Sequence, residues 1–544
     1  MIRIVLQARV GSARLPGKIL LPLAGMPAGV LAARRAANCG DQVVAALADE
    51  PLAPLLGSAF QAAGIEAQHG SPHDVLARFE TAVSDLADDA IVVRLTADNP
   101  LPDGDLVREV VAAVDRGGDV YAEIVWPAAG LPYGIAVEAF RASALRQAAA
   151  LATDPDDREH VTPWVARNRP TVSVTPSATI ERDCAALRCT LDNFDDYERL
   201  SLLFAVAGSV EAPWYELVRR LLGDSPSGLV PQILEHGLPA SRVMLGTAQL
   251  GSAYGVANRA GDPGDEGAAA IVRAALSHGI TVFDTAPGYG RSEERLGTAL
   301  AGALRGRGRI TTKLDHAIVG PIEDDAARAA VDASVFRSVA MLRTDRLDTL
   351  LLHRWAQRHA ADGAVWRRLL ELRDERLVGR LGVSVLEPGD ALDALADEDV
   401  RTIQLPFNVL DTRWQTAGVP EAVRSRPDVS VHARSVFLQG LLVSSADAWP
   451  RIPGVDAQGI VDVLERATSD GAFESRADLC MAYALDQPWI AAIIVGIDDV
   501  GQVAEIARLA ERHVKRGAVE WPAILGQLQE QPDRLLDPWR WPAS

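Results

Sequence analysis

Thr281-Val282-Phe283-Asp284, followed by Tyr289, is one of three short apolar runs in the second half of the chain that end on a reactive side chain. The others are Arg309-Ile310-Thr311-Thr312-Lys313 and Leu350-Leu351-Leu352-His353. Buried parallel strands read as continuous apolar runs, and functional groups of a β/α barrel gather at the carboxyl ends of its strands. Eight such runs follow in order: Val243–Gly246, Ile280–Asp284, Ile310–Lys313, Thr349–His353, Leu381–Ser384, Thr402–Leu405, Val429–Ala433 and Ile493–Gly496. Helical patterns such as Gly267–His278 and Val365–Arg376 separate them. Eight β/α units in about 300 residues predict a (β/α)8 TIM barrel over 240–544 rather than an open doubly wound sheet.

The first half has another rhythm. Ile2–Leu6, Gln42–Ala46, Ala90–Leu95 and Leu187–Leu191 read as strands alternating with helical stretches. This predicts an α/β, Rossmann-like nucleotidyltransferase domain with a mostly parallel sheet over 1–222. Gly223-Asp224-Ser225-Pro226-Ser227-Gly228 has linker composition, and the reading places a linker at 223–239 with a short helix over Leu229–Gly237.

The chain has 544 residues, 48% apolar and 23% charged, and a formal net charge of −19. That length predicts more than one domain, and that charge argues against non-specific nucleic-acid binding. No apolar run is long enough to span a membrane, and Met1–Leu6 does not read as a signal peptide. Cys39, Cys184, Cys189 and Cys480 form no CxxC pair, so a reduced, cytoplasmic protein is expected. Within residues 1–40, Arg3, Arg9, Arg14, Lys18, Arg34 and Arg35 occur without any Asp or Glu. A basic loop in an acidic protein points to an anionic small molecule.

That loop is Gln7-Ala8-Arg9-Val10-Gly11-Ser12-Ala13-Arg14-Leu15-Pro16-Gly17-Lys18. Glycines let backbone N–H groups approach phosphate oxygens, while the cations neutralise a triphosphate and its departing pyrophosphate. It lacks the GK[ST] of a Walker A loop. Asp98, in Thr96-Ala97-Asp98-Asn99-Pro100, and Asp192, in Thr190-Leu191-Asp192, each follow an apolar run. Two carboxylates facing a cationic loop predict a Mg²⁺ site.

In the second half, Tyr289 reads as the proton donor to a carbonyl oxygen. A free phenol has a pKa of about 10, and a lysine cation beside it eases the transfer. Lys313 would supply that cation, Asp284 would hold Lys313, and His353 would orient the substrate oxygen.

Two resemblances follow from these motifs. Residues 1–222 resemble the spore coat polysaccharide biosynthesis protein F family, relatives of the acylneuraminate and 3-deoxy-manno-octulosonate cytidylyltransferases. The resemblance rests on Gln7–Lys18, Asp74–Phe79, Arg94–Pro100, Leu131–Gly134, Asp157–Pro163 and Thr190–Asp192. It implies CTP, an acidic (nonulosonate-like) sugar acceptor and Mg²⁺ on Asp98 and Asp192. Gln7, Arg9, Gly11, Ser12, Arg14, Lys18 and Arg78 are the expected nucleotide-binding residues, with Arg14 and Lys18 acting in catalysis. Ala136 stands where that family usually carries an acidic residue. Arg158, Glu159 and His160 are either acceptor contacts or a charged helix start.

The second half resembles the aldo-keto reductase superfamily through Leu245–Gly251, Phe283–Glu294, Thr312-Lys313, Leu352-His353, Gly382–Ser384 and Gln404. The resemblance implies NADPH (or NADH) as cofactor and the catalytic set Asp284, Tyr289, Lys313 and His353. It implies that Ser384 and Gln404 hold the nicotinamide carboxamide and that Arg434 and Ser435 close over the cofactor. Gly496, Asp498 and Gln502 fall at its adenosine end. Asp498 and Asp499 there replace the Lys or Arg that reads a 2′-phosphate in many members.

The expected function is a bifunctional, CMP-sugar-forming enzyme of polysaccharide biosynthesis, with the N-terminal domain as the expected route to any homo-oligomer. The alternatives are one catalytic domain with the other as a binding or regulatory module, or a non-enzymatic regulatory subunit.

Overall fold

Ile4, Val5 and Leu6 are fully buried in β1 (Ile2–Ala8), an interior strand of the first sheet. β1 pairs in parallel with β2 (Gln42–Ala48) on one side and β4 (Ile91–Thr96) on the other; β3 (Glu66–Gly70) pairs in parallel with β2. The sheet continues through β5 (Tyr121–Glu123), β6 (Glu138–Arg141) and β7 (Thr171–Ser173) in the order β3-β2-β1-β4-β6-β5-β7. β6 runs antiparallel to both β4 and β5. Apolar layers cover both faces, one around Ile4, Leu6 and Val93, the other around Val5, Val92 and Phe140. Strand order reverses between β1 and β4, and ligand crevices of open α/β sheets lie at the carboxyl ends beside such a switch point. The loop after β1 and Asp98 after β4 both start there.

This computed structural model describes residues 1–544 except 13, 125, 181, 208, 224–227, 253–260, 321–322, 470, 517, 529 and 542–544. The chain divides into two compact units, Met1–Ser225 and Pro226–Ser544. No described helix is long and apolar enough to cross a membrane. The expected strand Leu187–Leu191 is not formed; a single bridge joins Arg188 to Tyr133. Its apolar residues are buried as expected, Cys189 and Leu191 at 0% exposure. Their N–H groups, however, bond the carbonyls of Tyr133 and Asp98, both at 2.8 Å, rather than a neighbouring strand.

In the second unit, eight parallel strands close into a barrel: β8 (Val243–Gly246), β9 (Val282–Asp284), β10 (Arg309–Lys313), β11 (Leu347–Leu352), β12 (Val378–Ser384), β13 (Thr402–Pro406), β14 (Ser430–Arg434) and β15 (Ala492–Gly496). Pairing of Val243 with Ile493 completes the ring. Asp284, Lys313, Ser384, Arg434 and Gly496 each end a strand, and His353 directly follows one.

Where a short helix was expected over 229–237, Gln232–Glu235 and Leu238–Ser241 form an antiparallel hairpin. Its turn residues His236 (φ 51°) and Gly237 (φ 75°) are both left-handed, the conformation a tight hairpin turn requires. Asp224–Ser227 of the expected linker lie outside the described residues. The Glu235 carboxylate accepts from Arg309 at 2.7 Å and contacts His432 Nε2 at 2.5 Å, tying the hairpin to the start of β10 and to β14. Burial would raise the Glu235 carboxyl, but His432 and Arg309 outweigh it and hold it well below the usual range.

Glu235→Ala would leave the Arg309 guanidinium without its carboxylate and should lower barrel stability by about 3–5 kcal/mol, read by denaturant unfolding at pH 7. A depressed carboxyl stabilises above its unfolded pKa of about 4.3 and loses that contribution as pH falls towards its folded value. The gap between wild type and variant should therefore narrow in acid. A gap unchanged between pH 7 and pH 3 would show that the ion pair is not its source.

Two candidate active sites

In the first unit, Lys18 opens the turn after the basic loop, and its Nζ lies 2.5 Å from Asp98 Oδ2 and 3.0 Å from Asp192 Oδ1. The fold thus brings the two predicted metal carboxylates to one ammonium. Arg14 reaches Asp192 Oδ1 at 2.8 Å, and Arg188 reaches its Oδ2 at 3.0 Å. Burial would raise the Asp192 carboxyl, but Lys18 and the two arginines hold it below the ordinary carboxylate range. Among the described residues, no cluster of three or more His, Cys, Asp or Glu is placed to hold a metal. Mg²⁺ commonly binds through one or two carboxylates, with phosphate oxygens and waters completing its shell. Asp98 and Asp192 fit a site of that kind.

A cleft of about 160 Å³ is lined by Gln7, Arg9, Lys18, Arg78, Thr96, Asp98, Glu159 and His160, among others. Arg78 donates to the carbonyls of Ala8 and Ala46, both at 3.1 Å, while its buried Nε and second terminal nitrogen have no partner. Burial pulls its guanidinium below the ordinary arginine range. The N–H groups of Val10 and Gly11, expected to face phosphate, donate to Glu50 Oε2 at 2.7 and 2.6 Å. A Cβ on Gly11 would lie 2.7 Å from Glu50 Oε1, so a side chain there would push the Glu50 carboxylate aside. Ser12 Oγ accepts the Leu15 N–H at 3.4 Å within the loop. Arg158 serves the structure instead of the cleft: it pairs with Asp74 at 2.6 Å and donates to the carbonyls of Ala149 and Ala152.

The second site lies at the carboxyl end of the barrel. Lys313 Nζ contacts both Asp284 oxygens, at 2.8 and 3.0 Å, and donates to the Thr285 carbonyl at 3.0 Å. The same ammonium lies 5.0 Å from the Tyr289 ring centroid. Burial would lower the lysine, but Asp284 and Tyr289 outweigh it and raise it, so it remains a cation. Burial, reinforced by Lys313 and His316, lowers His353 to about 4. Its imidazole is therefore neutral near pH 7.

Gln404 is fully buried beside Ser384, its partner in strand register. Its Nε2 donates to Asp284 Oδ1 at 2.7 Å, and its Oε1 is buried without a donor. An orphaned acceptor of this kind fits the amino group of a nicotinamide carboxamide. Arg434 donates to the Val385 carbonyl at 3.3 Å and lines a small cavity with Ser435 and Gln439. Ser435, Leu438 and Gln439 all take positive φ (59°, 47° and 53°). Such conformations are costly outside glycine and cluster at ligand-binding segments.

In the segment expected to meet the adenosine, Asp499 caps the helix Val500–Lys515 by accepting the Gln502 N–H at 3.0 Å. Gln502 Oε1 in turn accepts the Asp498 N–H at 2.9 Å. Asp498 Oδ1 is buried without a partner, and burial raises its carboxyl. A Cβ on Gly496 would lie 2.2 Å from Gln249 Nε2, so a larger residue there would displace the Gln249 amide.

The sequence reading missed Glu50, Arg188 and the partners of Arg94. A signal existed for the last: a cation inside the apolar run Ile91–Leu95 must find a buried acceptor.

Family models agree with this division. The aldo/keto reductase family model matches residues 242–517 and a cytidylyltransferase model matches residues 3–198. The spore coat polysaccharide biosynthesis protein SpsF of Bacillus subtilis is 32% identical over 214 residues, 38% of this chain and 86% of that protein. Aldo-keto reductase YhdN of the same organism is 26% identical over 299 residues, 51% of this chain and 87% of the relative. The 3-deoxy-manno-octulosonate cytidylyltransferase of Thioalkalivibrio sulfidiphilus is 34% identical over 119 residues, 22% of this chain and 47% of its own length. The chain belongs to the aldo/keto reductase family through its barrel and carries, fused ahead of it, a cytidylyltransferase domain.

Proposed function

We propose that this protein is a bifunctional cytosolic enzyme of surface-polysaccharide biosynthesis. Its first unit transfers CMP from CTP to an acidic, nonulosonate-like sugar, and its barrel reduces a sugar carbonyl. The observation that carries the proposal is that each unit gathers its own reactive groups around a buried lysine: Lys18 with Asp98 and Asp192, and Lys313 with Asp284 and Tyr289. The names of the relatives support the substrate classes: one is a spore coat polysaccharide protein, another a 3-deoxy-manno-octulosonate cytidylyltransferase.

In the first unit, an acceptor hydroxyl loses its proton to solvent and its oxygen bonds to the α-phosphorus as the bond from that phosphorus to pyrophosphate breaks. Lys18 and Arg14 neutralise the charge that leaves with pyrophosphate. Mg²⁺ held by Asp98 and Asp192 would draw charge from the phosphate oxygens. In the barrel, Tyr289 gives its hydroxyl proton to the carbonyl oxygen, and Lys313, fixed by Asp284, stabilises the phenolate left behind. Neutral His353 hydrogen-bonds the same oxygen. A nicotinamide cofactor supplies the hydride when bound, with Ser384, Gln404, Arg434 and Ser435 holding it. Fusion of the two units suggests consecutive steps on one sugar.

Two reciprocal substitutions in the full chain test this reading. Asp98→Asn should remove most pyrophosphate release from CTP while leaving carbonyl reduction intact. Tyr289→Phe should slow cofactor oxidation by about 10²–10⁴-fold while cofactor binding, followed by fluorescence, and pyrophosphate release both persist. Parent rates in either variant would remove that residue from its role.

Cofactor choice gives another prediction. Among the described residues 496–502 there is no cation, and a 2′-phosphate near Asp498 loses at least ~1 kcal/mol, several-fold in affinity. NADH should bind within about tenfold of NADPH. Hundred-fold tighter NADPH would show that a cation elsewhere reads the phosphate.

A further inference from the structure

A buried carboxylate beside the first cleft holds more donors than an ion pair needs. Glu138 on β6 faces Arg94 directly across the β4–β6 register and forms an ion pair with it. Its Oε1 also accepts from the hydroxyls of Tyr121 at 2.6 Å and Thr162 at 2.9 Å. Both charged side chains are largely buried, at 17% and 16% exposure. Such a pair contributes little net stability, because desolvation offsets the attraction, so the arrangement asks for another use.

Each end of the network leads to the cleft. Arg94 donates its remaining terminal nitrogen to Gln7 Oε1 at 3.0 Å. A guanidinium only donates, so the Gln7 amide has one orientation: oxygen towards Arg94, NH₂ turned away from it. Gln7 lines the cleft, and so does His160. At the other end, the Thr162 N–H donates to the His160 carbonyl at 2.8 Å across Val161, which has φ 70° and ψ −55°. This is a γ-turn centred on a β-branched residue, a rare and strained conformation. It is held by full burial of Val161 and by the hydroxyl of Thr162 on Glu138. Among the described residues, none of these hydrogen bonds reaches Arg14, Lys18, Asp98 or Asp192, the groups proposed to meet phosphate and metal.

We propose that Glu138 is a positioning residue that sets Gln7, through Arg94, and His160, through Thr162 and the strained turn, as the contacts that bind the sugar acceptor. An amide NH₂ and an imidazole suit a ligand rich in carboxylate and hydroxyl oxygens, which is the chemistry of an acidic sugar. The inference rests on the cytidylyl-transfer reading above.

Thr162→Val deletes one hydroxyl at nearly constant volume and leaves the Arg94–Glu138 pair intact, so it avoids the folding risk of Glu138→Gln. In the full-length protein, with Mg²⁺-CTP and with 3-deoxy-manno-octulosonate and N-acetylneuraminate as probes, it should raise the acceptor KM by about tenfold. The CTP KM should stay within about twofold. Thr162→Ser, which keeps the hydroxyl, should restore the acceptor KM, and Gln7→Leu should reproduce the split, which would move Gln7 from the nucleotide side, where the resemblance placed it, to the acceptor side. An unchanged acceptor KM, an equal rise for CTP, or no rescue by serine would each overturn the proposal.

If the wild-type protein transfers CMP to neither sugar, the transfer reading itself falls for these acceptors. Hydrogen exchange over residues 157–166 then judges the positioning. Thr162→Val should exchange there at least about tenfold faster than wild type, and unchanged protection would refute it.

Discussion

A lysine ammonium taken out of water must be matched by carboxylate oxygens, and both units of this chain are arranged around that requirement. Lys18 is 9% exposed and is shared by Asp98 and Asp192; Lys313 is 2% exposed and is gripped by both oxygens of Asp284. In each case the charges come from the ends of separate chain segments. Only the folded sheet or the closed barrel can bring them together. The pairing therefore links fold to chemistry: without it the desolvation cost of each lysine would be unmet.

The two pairs differ in what surrounds them. Asp192 carries two further arginines, Arg14 and Arg188, so the first site holds an excess of positive charge suited to a triphosphate. Lys313 has the Tyr289 ring nearby and lies close enough to the neutral His353 to lower it further, the surroundings that the proposed proton transfer would use. Strain collects near both. Val161 beside the cleft and Ser435, Leu438 and Gln439 beside the cofactor groups all hold positive φ without being glycine. The surrounding packing over-determines those conformations, as expected where side chains are positioned for ligands.

The barrel was legible in the sequence because each of its buried parallel strands carries a short, largely apolar stretch and several of the candidate site residues sit at the strand ends. All eight runs overlap observed strands, and Asp284, Lys313 and Tyr289 meet as read. The first sheet was less legible. Glu66–Gly70, Tyr121–Glu123 and Thr171–Ser173 are short strands, two of them at the sheet edges, and their polar residues carry no apolar run. Leu187–Leu191 has the burial of a strand without a neighbouring strand to pair with, a distinction the pattern of side chains cannot carry. The hairpin at 232–241 depends on two left-handed turn residues, and His236 gave no glycine signal for the first. Glu50, Arg188 and Glu138 act through partners far away in sequence or across loops, so no local motif announced them.

The central claim is that one chain performs two chemistries on sugars. It is tested most directly by mass spectrometry of products formed when the full-length protein meets CTP, Mg²⁺, reduced nicotinamide cofactor and a panel of acidic keto-sugars. The account predicts sugars gaining a cytidylyl group and sugars gaining two hydrogens, singly or together. Binding of nucleotide and cofactor with no product of either mass would contradict it.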